Sequence, residues 1–333
     1  MAAQNNAPLP DGLDIAGYRI VKKIASGGFS IVYLAYDGEG NAVAIKEYLP
    51  SALALRQPGE LVPVVAKPHL AVFRIGLKCF FEEGRALARI VHPNVVRVLN
   101  FFRAHDTVYM VMAYESGHSL QEHIARAAAK GSRLGERFVR QVFTGVCAGL
   151  REVHANKLLH LDLKPANIYL RTDGSPMLLD FGAARQTLHT DAPMLAPMYT
   201  PGFAAPELST RGASLGPWTD IYSLGAAMLA CMSCSTPQSV DARRAGDKLL
   251  EQLDKLVGRY SPELIDLVQA CLALDPLARP QSVFAIQKAL QAAPAKPLAP
   301  ASASMRASAQ QGEARGGWRG LVDRLGAFGR GQG

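Results

Sequence analysis

The chain has 333 residues, is 49% apolar and carries a formal net charge of +8. That length allows two lobes or two small domains around a large core, and that hydrophobicity excludes wholesale disorder. The positive charge suits an acidic partner, a membrane surface or a plain soluble basic protein. No basic run interleaved with aromatics is present to stack bases, so no nucleic acid is expected as a partner.

In chain order, residues 1–17 are rich in Ala, Asn, Pro and Gly and are expected to form a flexible leader. They lack the basic and apolar regions of a signal peptide. Residues 18–24 and 31–36 read as strands, joined by ASGGFS at 25–30. Glycines at a hairpin tip let backbone N–H groups approach phosphates, because no Cβ intervenes; an ordinary hairpin is the competing reading. The strand at 41–46 ends on Lys46, and a lysine in that place is on its own usually a solvated edge charge. Pro50, Pro58, Pro63 and Pro68 punctuate the next stretch, where residues 52–56 and 60–65 flank Gln57, Pro58 and Gly59 as a small hairpin. The spacing predicts a helix over 78–90, with Phe80, Leu87 and Val91 sharing a face with Glu83 or its neighbour Glu82. Gly84 costs that helix about 1 kcal/mol relative to alanine and predicts mobility there. Strands follow at 95–102 and 107–112.

Residues 119–129 and 135–154 read as helices, and the second leads into HLDLKPAN at 160–167. DFG follows at 180–182. Asp162, Lys164, Asn167 and Asp180 place two carboxylates, one ammonium and one amide in a short span. A carboxylate can orient a hydroxyl and accept its proton. An amide oxygen and a second carboxylate are hard ligands for Mg²⁺. The lysine can balance the charge of a transferring phosphate.

Further helices are expected at 247–257, 262–273 and 282–292. The five cysteines are an odd, scattered set, which fits a reducing compartment better than a disulfide framework. Cys231 and Cys234 have CxxC spacing but no nearby second pair, and read as thiols ending an apolar helix. Residues 291–312 turn Ala, Pro and Ser rich, a linker. In the tail at 313–333, Trp318, Leu321, Val322, Leu325 and Phe328 fall at helical spacing among arginines. That suits membrane-surface or partner-protein contact, with a frayed tail as the alternative. No apolar run reaches the roughly 18 residues of a membrane span. A cytoplasmic place follows, with peripheral contact at the inner membrane through the tail as an option.

The order and spacing of these motifs resemble the catalytic loop and DFG element of protein kinases. VAIK at 43–46 resembles the family's strand lysine, and the insert opening KEYLP is similar to that of proteobacterial members. Over residues 18–290 the chain is identified as a member of the eukaryotic-like bacterial serine/threonine protein kinases. The resemblance implies an α+β, bilobal fold: a small β-rich N-lobe (18–112), a hinge (113–116) and a larger α-helical C-lobe (117–290). It implies ATP and Mg²⁺, or Mn²⁺, in the cleft and protein substrates with Ser/Thr acceptors. Asp162 would orient the hydroxyl, Lys164 would stabilise the γ-phosphoryl, and Asn167 and Asp180 would hold the metal. Lys46 would hold the α- and β-phosphates and pair with Glu83 in the active state.

The resemblance also assigns the nucleotide site. Ala25, Ser26, Gly27, Gly28 and Ser30 would cover the phosphates, although the family's first and third glycines are here Ala25 and Ser30. Val32 and Ala44 would line the base pocket, Met112 would be the gatekeeper, and the backbones of Ala113 and Glu115 would bind adenine. Glu207, Asp220 and Arg279 would be scaffold. Leu161 replaces a common arginine, which implies an activation segment (183–204, with Thr187 and Thr190) that does not depend on phosphorylation. A pseudokinase scaffold is the rival reading.

Overall fold

The computed structural model describes residues 6–181, 199–210 and 212–292. The N-terminal lobe is built on β1 (Asp14–Ile15), β2 (Tyr18–Ser26), β3 (Ser30–Tyr36), β4 (Ala42–Tyr48), β7 (Val98–Ala104) and β8 (Thr107–Ala113). They form one sheet in the order β1-β2-β3-β4-β8-β7, with every pairing antiparallel. Register sets the faces, because directly opposed residues point the same way and the side-chain period is two. Val32 opposes Lys46, and Ala44 opposes Met112. Those four side chains therefore share one face. Tyr33, Ile45, Glu47 and Tyr109 take the other, and all four are buried.

The burial of that second face overturns one expectation. Residues 6–17 are not a free leader: Leu9 is 1% and Ile15 5% exposed, and β1 pairs with β2. The Leu9 N–H donates to the Tyr33 hydroxyl at 3.0 Å, and the Arg56 N–H donates to Asn6 Oδ1 at 2.7 Å. The hairpin expected in the proline-rich insert is present as β5 (Ala54–Leu55) and β6 (Val64–Val65), with Ala54 opposite Val65.

A 3₁₀ turn at Lys67–His69 leads into α1, Leu70–Leu87, which starts eight residues before the expected 78. Pro68 suggested continued loop, but it occupies the first positions of the turn, where a missing N–H costs nothing. Buried Phe73, Gly76, Phe80, Glu83, Gly84 and Leu87 line the inner face. Val91 lies past the helix and is 69% exposed, so it is not part of that face. Gly84 is where α1 meets the sheet closely: a Cβ there would lie 2.0 Å from Phe101 Cε1 and 2.8 Å from the Met110 methyl. The glycine that suggested mobility is required by packing.

The C-terminal lobe contains α2 (Leu120–Ala129), α3 (Glu136–Ala155), α4 (Pro217–Ser233), α5 (Val240–Ala245), α6 (Leu249–Asp254), α7 (Pro262–Cys271) and α8 (Val283–Gln291). A small sheet, β9 (Gly117–Ser119), β10 (Ile168–Arg171) and β11 (Pro176–Leu178), sits beside them in the order β11-β10-β9. Ser119 starts α2 with a capping box to Glu122, as the sequence S-x-x-E suggests. The residues from Thr219 to Met232 of α4 are buried all round, which makes α4 the axis of this lobe. A Cβ on Gly225 would meet Cys271 Cβ at 2.6 Å, so that glycine lets α4 and α7 close up. Cys231 is buried and Cys234 half-buried, and all five cysteines are free thiols. The lobes are tied behind the cleft: Val96 N–H donates to Leu178 O at 3.0 Å, and Leu178 N–H to Asn94 O at 2.9 Å.

Candidate active site

The catalytic stretch is hung from Asp220, near the start of α4. Its Oδ2 accepts the His160 N–H at 2.9 Å and lies 2.8 Å from His154 Nε2, while Oδ1 accepts the Leu161 N–H at 2.8 Å. Burial opposes the charge on Asp220, but the His154 hydrogen bond and the facing histidines outweigh it and hold the carboxyl below its usual range. These bonds hold Leu161 at φ +63°, a left-handed conformation that leucine rarely adopts. Backbone strain of this kind persists only where the surroundings enforce it. Leu161 thus contributes a backbone anchor and no charge. Thr187 and Thr190, and with them the expectation about loop phosphorylation, lie outside the described residues.

His160 links this anchor to the stretch that carries Asp180. It is fully buried, its ring stacks on Phe181 at 4.4 Å, Nε2 donates to Leu179 O at 3.0 Å, and Nδ1 accepts the Asp162 N–H at 3.4 Å. That pair of bonds requires the neutral Nε2–H tautomer. Burial pushes its pKa down, and nearby acids only partly oppose that. The unfolded chain, with a histidine pKa of about 6.5, takes up a proton that the folded site resists. Stability is therefore complete above that value and is lost as pH falls below about 6.5. Denaturation at pH 7.5 and 5.5 should show the loss, and His160→Phe should flatten it. An unchanged slope in that variant would remove His160 from the account.

The candidate site residues converge below. Asp162 is 8% exposed. Lys164 Nζ donates to its two carboxylate oxygens at 3.2 and 3.0 Å, and to Thr200 Oγ1 at 2.9 Å. Asn167 Nδ2 donates to Asp162 O at 2.8 Å and to Asp162 Oδ2 at 3.0 Å. With the amide nitrogen so engaged, Asn167 Oδ1 is the end that can ligate a cation. Asp180, at φ +50°, follows β11 and brings its Oδ1 to 2.9 Å from Lys46 Nζ, across the cleft from β4. Lys46 Nζ also lies 5.7 Å from the centre of the Phe80 ring. Lys46 thus forms an ion pair with Asp180, a partner the resemblance did not name. Glu83 is 7% exposed on the inner face of α1, whereas Glu82 points to solvent, which settles the register.

The nucleotide side is assembled from β2, β3, β4 and β8. Ala25 and Ser26 end β2 and Ser30 begins β3, with Gly27 N–H donating to Ser30 O at 2.9 Å. A Cβ on Gly27 would meet nothing within 4 Å, so its own packing does not call for glycine. Val32 and Ala44 are half-buried on the Lys46 face, and Met112 is 7% exposed. Ala113 N–H donates to Arg97 O at 2.9 Å, so any adenine contact by its backbone is through the carbonyl. Glu115 O accepts from Tyr169 Oη at 3.3 Å and its carboxylate pairs with Arg171 at 3.3 Å.

Sequence reasoning missed three residues here. Thr200 falls in the activation segment with no role marked by its sequence, yet it holds Lys164. Glu47 and Arg56 were passed over, yet they form an ion pair with both side chains 0% exposed. The signal for Arg56 was a lone cation directly after the apolar run 53–55; nothing local marked Glu47 as its partner.

A curled antiparallel lobe that delivers a buried lysine to an Asp-Lys-Asn-Asp set on a helical lobe defines a protein kinase fold. The chain belongs to the protein kinase domain family, which matches residues 18–292. It is 27% identical over 313 residues to the serine/threonine-protein kinase PknD of Chlamydia muridarum, covering 82% of this chain and 31% of that protein. It is 30% identical over 258 residues to the serine/threonine-protein kinase PknK of Mycobacterium tuberculosis, covering 77% of this chain and 21% of that one. The chain thus spans less than a third of the length of these curated relatives. Among solved structures, the apo form of PpkA-294 superposes with a TM-score of 0.77 at 34% identity, over 85% of this chain and 99% of that one. The PknI kinase domain of Mycobacterium tuberculosis shares the fold with a TM-score of 0.59 at 22% identity, over 85% of this chain and 98% of that one.

Proposed function

We propose that this chain transfers the γ-phosphoryl group of ATP to serine or threonine hydroxyls of protein substrates, in bacterial signalling. The observation that carries the reading is the convergence of Asp162, Lys164 and Asn167 with the Lys46–Asp180 pair across one cleft. Asp162 orients the acceptor hydroxyl and takes its proton. Lys164, held by Asp162 and Thr200, faces the charge that develops on the phosphoryl group. Lys46 holds the α- and β-phosphates, and Gly27 and Gly28 let the loop backbone close over them. Asn167 Oδ1 and the Asp180 carboxylate are hard oxygen donors that suit Mg²⁺, with Mn²⁺ as the alternative. The bound ion would neutralise charge on the phosphates. The serine/threonine preference rests on DLKPAN at 162–167 and on the names of the relatives.

The test is transfer from γ-labelled ATP to a protein or peptide substrate with Mg²⁺ present. Nucleotide binding without transfer would point instead to a pseudokinase scaffold. Within that assay Lys46→Met and Asp180→Asn should each cripple kcat/KM. The double variant should be little worse than Lys46→Met, with a coupling of about 1–3 kcal/mol. Glu83→Gln should join that coupling if Glu83 pairs with Lys46 in the active state. Strictly additive losses would mean that these groups act separately.

Five free thiols support a reducing, cytoplasmic setting. Among the described residues no helix is long and apolar enough to cross a membrane. The tail at 313–330 lies outside them, and its contact with an anionic membrane surface or a partner protein remains part of the proposal, resting on its arginines and its apolar spacing.

A further inference from the structure

The sheet face opposite the cleft carries a charge cluster that phosphoryl transfer does not use. Glu47 accepts from Arg56 Nη1 at 2.5 Å, Arg56 Nη2 at 2.8 Å, Tyr33 Oη at 2.7 Å and Tyr109 Oη at 2.9 Å. Arg56 donates further, from Nη2 to Tyr33 Oη at 2.9 Å and from Nε to Ala7 O at 2.8 Å. Burial, and then the charge of Glu47, push both phenols up, so they remain donors. A buried pair with this many bonds is expensive to assemble, and a pair of apolar side chains of the same volume would often be as stable. Stability alone does not account for it.

Its neighbours supply the account. Glu47 follows Lys46 directly on β4, and Tyr48 follows Glu47. The Tyr48 ring packs on Phe73 and Phe80 of α1 at 5.4 and 5.7 Å. Thr107 Oγ1 donates to Tyr48 O. The next residues grip the glycine loop: Leu49 N–H donates to Phe29 O at 2.8 Å and Ser51 N–H to Gly28 O at 2.9 Å. Asn6 closes the assembly, with Nδ2 donating to Leu49 O at 3.4 Å and Ala54 O at 3.2 Å while Oδ1 accepts the Arg56 N–H. One segment, 46–51, thus touches the phosphate lysine, the glycine loop and α1. Arg56 and the N-terminal residues clamp that segment from behind.

We propose that Arg56 and Glu47 are positioning residues for nucleotide: the pair, closed by Asn6, Tyr33 and Tyr109, fixes where Lys46, the glycine loop and α1 stand relative to one another. This rests on the kinase reading and assigns the insert and the N-terminal strap a part in ATP binding. It acts through Lys46 and the loop, so it should alter ATP use and leave the protein-substrate side alone.

The experiment uses the full chain with Arg56→Met, Glu47→Leu and the double variant. Each single change leaves a buried charge unpaired and should lower the melting temperature. The double change should restore melting to within about 5 °C of wild type. Its KM for ATP should nonetheless rise about tenfold or more, while the KM for peptide substrate stays within about twofold. Calorimetry with ATP·Mg²⁺ should show the same loss of affinity and does not depend on transfer. A folded double variant with wild-type nucleotide affinity and KM would reduce the pair to a structural element and overturn the proposal. If the double variant does not fold, Tyr109→Phe serves, since it removes one donor to Glu47 and leaves the pair. It should lower the melting temperature by only a few degrees while weakening ATP about threefold, and unchanged affinity there overturns the proposal equally. A wild-type chain that binds nucleotide but transfers no phosphate would count against the proposed function, with the calorimetric comparison still deciding this one.

Discussion

Asp162→Asn is expected to lower kcat by about 10²–10⁴-fold while shifting nucleotide affinity by less than about threefold. The substitution keeps the size of the side chain and one oxygen that can still accept from Lys164 or from Asn167 Nδ2. It removes the negative charge and the proton acceptor. The phosphate contacts proposed for Lys46 and the glycine loop lie across the cleft and do not pass through this carboxylate. Single-turnover transfer and calorimetry on the same preparation separate the two effects. A parallel fall of rate and affinity, with no separate chemical defect, would show that Asp162 serves mainly to hold the loop.

Arg279→Met is expected to destabilise the C-terminal lobe by about 3–5 kcal/mol. Arg279 is 1% exposed and Glu207 6%. The guanidinium donates to Glu207 Oε1 at 2.7 Å and Oε2 at 3.0 Å, and also to the carbonyls of Ala273, Leu274 and Trp218. It also lies 5.0 Å from the centre of the Tyr222 ring. Methionine fills the stem volume but strands the glutamate, which is left with Thr219 Oγ1 at 2.9 Å as its remaining donor among these. Glu207→Gln should cost less, because the amide oxygen still accepts. Urea unfolding of the three proteins gives the order directly. An Arg279→Met chain within about 1 kcal/mol of wild type would mean that the pair is not what closes the segment ending at Glu207.

The chemistry of the site was legible because it is local. Asp162, Lys164 and Asn167 lie within six residues, and their donor and acceptor types are fixed by composition. The apolar runs at 41–46 and 107–112 read as strands, and the resemblance marked Glu207 and Arg279 as scaffold, which their buried ion pair fits. Helix ends were less secure. Pro68 read as a loop marker, yet proline in a first turn is compatible with the helix that follows. Residues 6–17 read as a leader because their composition is that of one; Leu9 and Ile15 found a place only because the sheet has a second apolar face to cover.

The sequence by itself determined the family, the two-lobed α+β architecture and the identity of the groups proposed for phosphoryl transfer, since spacing over a few residues specifies which side chains a loop presents. Tertiary structure alone decided that Asp180 meets Lys46, why Gly84 is a glycine, and that Arg56 belongs to Glu47. Each of these is a contact between segments distant in sequence, or across two elements whose approach is set by packing. A chain of residues fixes periodicity and local hydrogen bonding, but the partner of a buried charge depends on which surfaces close over it. The cost of burying an unpaired charge selects the partner only once those surfaces have met.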